Sequence, residues 1–139
     1  MTKKNYLIIV VTALIFIIAI VVILLLGKDK SNWTTDVLNA HSYQMTMTDC
    51  NGREKTLDNN VLNTLSEKWN NLSNNGPWTG DTSACYTTLT ISYDTNGVIR
   101  EKEIILVDNT SIALISGNNS SYYTNATEII NKLNTLFIS

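Results

Sequence analysis

The chain has 139 residues, a formal net charge of −2 and 44% hydrophobic residues. Residues 31–139 carry six Lys plus Arg against eleven Asp plus Glu, an acidic balance that argues against nucleic acid and polyanionic wall polymers as partners. One histidine and two cysteines are too few for a four-ligand zinc site, and no glycine-rich loop is present to cradle a phosphate, so no metal or cofactor is expected.

The N-terminus is dominated by an apolar run from Tyr6 to Leu26, interrupted only by Thr12. As a helix at 1.5 Å per residue it spans roughly 31 Å, about one bilayer core. The run is longer than a signal-peptide core, and Gly27-Lys28-Asp29-Lys30 follows it without a small-residue cleavage site. The reading is a retained anchor over residues 6–26, with 1–5 as a cytoplasmic tail. Lys3 and Lys4 before the run and Lys28 and Lys30 after it give little charge bias, and the short N-terminal tail tips the orientation to N-inside, C-outside. Tyr6 and Trp33 fall near the two ends, where amphipathic rings favour the interface. No charge lies within the run and Thr12, Ala13 and Ala19 form no small-xxx-small pair, so a plain anchor in the lipid bilayer is expected.

Residues 27–41 are polar without a clear period and read as a spacer, with a helical turn near Asp36–Asn39. Tyr43, Met45 and Met47 alternate with polar residues, the pattern of a strand, and Asn51-Gly52 signals a type I′ turn into a partner strand at Arg53–Leu57. Asp58 is a suitable N-cap for an amphipathic helix over 59–72, with Val61, Leu62, Leu65, Trp69 and Leu72 on one face. Ser73–Ala84 is the longest loop and holds Pro77, the only proline, with Trp78 and Gly80. Alternation resumes at Cys85–Tyr93, and Asp94-Thr95-Asn96-Gly97 turns the chain into Val98–Val107. That strand is charged on both faces at Arg100-Glu101-Lys102-Glu103 and apolar on both at Ile104–Val107, so it starts beyond the core and ends inside it. Strands at Ser111–Ile115 and Ser120–Tyr123 follow, joined at Ser116–Asn119. Asn125 with Glu128 makes an N-x-x-E capping pattern for a last helix through Leu136 and Phe137. The expected fold is α+β: a transmembrane helix, then residues 42–139 as one antiparallel-sheet domain of five or six strands with two helices, in the order ββα-βββ(β)-α.

Cys50 and Cys85, with no third thiol, fit a single disulfide in an oxidising compartment. It lies at the sheet end, because Cys50 falls on the face opposite Met45 and Met47. Six N-x-[ST] triplets occur among 18 asparagines, close to the chance number for so Ser/Thr-rich a chain, so no glycosylation is inferred. The richness in Asn, Ile, Lys and Tyr matches an AT-rich coding bias and points to a prokaryotic surface protein.

Few groupings carry chemistry. His41 sits in the spacer, away from any nucleophilic pairing with a cysteine. Glu101 and Glu103 share a strand face, but charge on an exposed strand more often guards against aggregation than performs acid–base work. Trp78 in its long loop is the best candidate for partner contact; the competing reading, that it folds back over Trp69 or the sheet, is favoured by a small domain's need for every large apolar residue. Tyr86, Tyr122 and Tyr123 supply either a stacking platform for sugars or peptides or cross-strand packing pairs.

The layout of an apolar N-terminal helix before a disulfide-bearing sheet domain is similar to a type IV pilin subunit, but only in outline. The glycine-ended leader and early glutamate of that motif are missing, since no Gly precedes Gly27 and the run has no Glu. A minor pilin-like role is therefore a remote alternative. The expected function is an extracytoplasmic domain that binds a protein or envelope component without catalysis. The alternatives are an accessory structural subunit of a membrane complex and a carboxylate-based enzyme on envelope polymers.

Overall fold

A computed structural model describes residues 2–26, 33–81 and 83–139. The chain divides into two compact units, Met1–Asn32 and Trp33–Ser139.

The described residues of the first unit form one helix, α1, Lys3–Leu26. Its 24 residues extend about 36 Å. It is the one helix among the described residues long and apolar enough to cross a membrane. Thr12 Oγ1 donates to the Ile8 carbonyl at 2.8 Å, so this hydroxyl is satisfied inside its own helix. The side chain of Tyr6 and the flanking residues 27–32, including Lys28 and Lys30, lie outside the description.

The second unit is an α+β domain. Its elements are α2 (Trp33–Leu38), β1 (Ser42–Thr48), β2 (Glu54–Thr56), α3 (Asn60–Trp69), β3 (Ser73–Asn74), β4 (Thr87–Thr95), β5 (Val98–Leu106), β6 (Ile112–Ser116), β7 (Asn119–Thr124) and α4 (Thr127–Ile138). The strands form one seven-stranded sheet in the order β2-β1-β4-β5-β6-β7-β3, and every pairing is antiparallel. The strand beyond the expected five or six is the two-residue β3, which pairs with Tyr123 and Thr124. So short a strand has no periodicity to read.

One sheet face is apolar and packed. Met45 and Met47 of β1, Leu89, Ile91 and Tyr93 of β4, Ile104 and Leu106 of β5, Ile112 and Leu114 of β6 and Tyr123 of β7 join one core with the buried faces of the helices. α3 contributes Val61, Leu62, Leu65 and Trp69, and α4 contributes Ile129, Ile130 and Leu133. The helical spacing of these residues is what lets each helix bury a single stripe.

The expected spacer is corrected from residue 33 onward. Trp33, Thr34 and Val37 of α2 are buried, so the second half of the polar stretch belongs to the folded domain and supplies a third helix. Trp33 is not a membrane-interface ring. It is 3% exposed, and its indole meets that of Trp69 edge-on at 4.9 Å. Two apolar residues four apart inside a polar stretch are too few to register as a period, yet they suffice for a helix of under two turns.

Local expectations met different fates. Asn96 (φ 54°) and Gly97 (φ 80°) make the left-handed two-residue turn between β4 and β5, with Asp94 Oδ1 accepting from the Gly97 amide at 2.8 Å. The Asn51-Gly52 turn is longer than expected. Thr48 pairs with Glu54, and only Gly52 has positive φ. Asp49 organises this wider loop by accepting from the amides of Asn51 and Arg53 and pairing with the Arg53 guanidinium at 2.6 Å. Helix α3 ends at Trp69, short of residue 72, and Leu72 packs on the core from the turn that follows. The capping pattern at Asn125 does not form. Asn125 adopts φ 63° and donates to the Asn71 carbonyl, while Glu128 reaches Lys68 of α3 at 2.6 Å. Glu128 thus ties the last helix to α3, and Asn125, just ahead of that helix, is tied to the turn after α3.

Replacing Trp33 by Ala is expected to cost about 3–5 kcal/mol of domain stability, the range for a buried aromatic. Chemical denaturation of the full chain in detergent, followed by near-UV circular dichroism, measures this; a purely membrane-facing ring would leave the midpoint unmoved.

Candidate functional site

The helices cover one face of the sheet only. On the other face lie Thr46 and Thr48 of β1, Thr88 and Thr90 of β4, Glu101, Glu103 and Ile105 of β5, Ala113 and Ile115 of β6 and Tyr122 of β7, as the registers require. At the β5–β6 end this second face is apolar, with Ala113 fully buried and Ile105 8% exposed. The chain from Asn75 to Tyr86 supplies its cover.

That segment is tied to the sheet at three places. The Asn75 amide donates to the Tyr122 carbonyl at 2.8 Å, and the Tyr122 amide donates to the Gly76 carbonyl at 2.7 Å. Ser120 Oγ donates to the Trp78 carbonyl at 3.2 Å. Cys85 is bonded to Cys50 with a Cα–Cα distance of 5.5 Å, which ties the far end of the segment to the β1–β2 loop. Between these ties Ser83 donates to Asp81 through both its amide and its hydroxyl, at 2.8 and 2.6 Å, and these bonds hold the Asp81 carboxyl below its usual range.

The result is a pocket of about 480 Å³ lined by Trp78, Cys85, Tyr86, Glu103, Ile105 and Ile115. Its wall is the pair of rings of Trp78 and Tyr86, edge to face with centroids 5.9 Å apart and planes at 73°. Both rings are half-buried. Gly80 supports this geometry, because a Cβ there would run into the Trp78 indole. An aromatic wall, an apolar floor of two isoleucines and one carboxylate at the margin suit recognition of an apolar side chain with a nearby polar or cationic group.

Of the residues singled out in the sequence, Trp78 and Tyr86 come together, and Cys85 lies beside them. Tyr122 shares their sheet face and is engaged through its backbone. Tyr123 does not belong to a platform. It is 7% exposed on the opposite, helix-covered face, with its ring 5.1 Å from that of Trp69. Trp78 does fold back onto the sheet, but onto the face away from Trp69. Ile105, Ile115 and Glu103 were not picked out as site residues; the signal for Ile105 was the two-sided apolar run Ile104–Val107, which requires cover on both faces. His41 is exposed, and no cluster of three or more metal-binding side chains occurs among the described residues. The chain matches no family model, no curated protein and no solved structure.

Gly80→Ala is expected to displace the Trp78 indole at a cost of about 1–3 kcal/mol. Fluorine NMR of fluorotryptophan-labelled protein, with the Trp78 signal assigned through Trp78→Phe, reads the displacement as a shift of that one resonance. Reducing the disulfide, or replacing Cys50 and Cys85 together by Ser, is expected to lower stability by about 3–4 kcal/mol in the chain-entropy view. The check is the denaturant midpoint with and without reductant.

Proposed function

We propose that this chain is a single-pass membrane-anchored binding protein whose domain outside the membrane engages a protein or envelope partner without catalysis. The observation that carries the reading is the Trp78–Tyr86 pocket on the sheet face away from α2, α3 and α4. A large aromatic held half-exposed by a disulfide and main-chain bonds is preorganised, so little ordering cost offsets its contacts. Residues 6–26 act as the anchor in the lipid bilayer, N-terminus inside, and the Cys50–Cys85 bond supports an oxidising, extracytoplasmic setting for the domain.

The test is photocrosslinking in native membranes, with a benzophenone amino acid at Tyr86 of the full chain. A discrete crosslinked partner is expected, and adding Trp78→Ala is expected to reduce its capture by about tenfold or more, the size of a central aromatic contact. Crosslinks unchanged by Trp78→Ala would remove the pocket from the binding surface.

A further inference from the structure

Strand β5 is longer than its neighbour on one side. It pairs with β4 along its whole length, from Val98 opposite Thr95 to Leu106 opposite Thr87. It pairs with β6 only from Glu103 to Leu106. The edge of β5 from Val98 to Lys102 therefore has no strand beside it among the described residues. Five residues at about 3.4 Å each make an open edge of about 17 Å, the length of an ordinary strand.

The hydrogen-bonding phase of this edge follows from the turn. Residues flanking a two-residue hairpin exchange both main-chain bonds, so Val98, Arg100 and Lys102 direct their backbone groups to β4. The N–H and C=O of Ile99 and Glu101 then point outward. Val98 and Ile99 are 55% and 71% exposed. Beside them lies a notch of about 530 Å³, lined by Arg100, Glu101, Lys102, Glu103, Ile115 and Ser116. Lys102 spans part of it, its Nζ donating to Ser116 Oγ.

Proteins blunt open edges by shortness, proline, bulges or charge. The outer strands of this sheet, β2 and β3, are three and two residues long. The β5 segment has neither a proline nor a break in its register with β4. It has charge, and the charge is sorted. Arg100 and Lys102 project from one face, Glu101 and Glu103 from the other. Residues directly opposite in an antiparallel pair share a face, so a second copy paired here with Glu101 opposite Glu101 would set Arg100 against Lys102, like charge against like on both faces. The pattern repels its own copy and attracts a strand that presents acid on the first face and base on the second.

We propose that the open edge of β5 is a strand-addition site that takes an extended segment of a partner protein with alternating acidic and basic residues. The proposal rests on the binding role proposed above and names its partner as an extended polypeptide. Glu103 and Ile115 line both the notch and the Trp78 pocket, so a segment docked on the edge runs on toward the aromatic pair. Main-chain bonds from Ile99 and Glu101 supply affinity, and the sorted charges supply register and selectivity.

The experiment uses the full chain in lipid nanodiscs and two synthetic peptides of about twelve residues. Both have the same composition, with Glu and Lys alternating in one and grouped in blocks in the other. The alternating peptide is expected to bind at least tenfold more tightly and to slow hydrogen exchange at the Ile99 and Glu101 amides. Glu101→Pro removes one outward donor without touching a bond to β4, and is expected to abolish that binding while the thermal midpoint stays near wild type. Should that variant fail to fold, the charge reversal Arg100→Glu with Lys102→Glu serves instead and is expected to erase the preference for alternation. Equal affinity for the two peptides, or wild-type binding by folded Glu101→Pro, overturns the proposal. Trp78→Ala separates the two readings. Binding lost in Trp78→Ala but kept in Glu101→Pro leaves the pocket and removes the edge, whereas the converse removes the pocket and leaves the edge.

Discussion

The domain is held together at Trp69. Its ring stands edge-on to Trp33 of α2 at 4.9 Å and to Tyr123 of β7 at 5.1 Å, so one residue at the end of α3 joins three elements distant in sequence. Such edge-to-face pairs add roughly 0.5–1.5 kcal/mol each beyond the area they bury. Their position matters more than their strength. They lie where α2 enters the domain, and without them the six-residue α2 is too short to persist in water. Around this point a sheet of seven strands presents one apolar face to three helices, and that one-sided cover shapes everything else.

How far these features could be read beforehand depended on whether they repeat. The stripes Val61, Leu62, Leu65, Trp69 and Ile129, Ile130, Leu133 recur at helical spacing, and Met45 and Met47 alternate with threonines, so the helix-covered core was legible. The Asn96-Gly97 turn was legible because left-handed backbone needs those residue types. Trp33 with Val37 and the two-residue β3 do not repeat, and both were missed. Asn125 and Glu128 had the spacing of a cap but pair instead across the fold, with Asn71 and Lys68. At the candidate site Trp78 and Tyr86 were visible one by one; their approach depends on how a long loop crosses the sheet, which no local spacing encodes. Tyr122 and Tyr123 show the limit from the other side. Adjacent strand residues face opposite ways, so the two cannot share a platform.

The second sheet face carries the consequence of one-sided cover. Ile105 and Ala113 are buried there without a helix above them. A loop has to do what helices do on the other side, and a loop has no repeating bonds of its own. The disulfide at Cys85, the paired bonds with Tyr122 and the Ser120–Trp78 bond replace the missing regularity. The interactions that shape the pocket are therefore the same ones that seal this side of the core. A rigid pocket and a stable domain are one requirement here, which is why a stiff aromatic pair can stand half-exposed without collapsing inward.

β5 shows the opposite solution to the same shortage of cover. Its inner half, Ile104–Leu106, lies between β4 and β6 and is apolar on both faces. Its outer half projects past the end of β6, where Val98 and Ile99 are exposed and the charges from Arg100 to Glu103 guard the edge against aggregation. Charge of a single sign on both faces would solvate it but would load the β4–β5 hairpin with self-repulsion. Sorting the signs by face leaves the strand with little net charge while making like strands incompatible across the edge. A strand built this way is soluble alone, resists its own copy and remains open to a complementary one. In the strand-addition proposal, that combination is what leaves the edge able to take a complementary strand while it stays protected from its own copy.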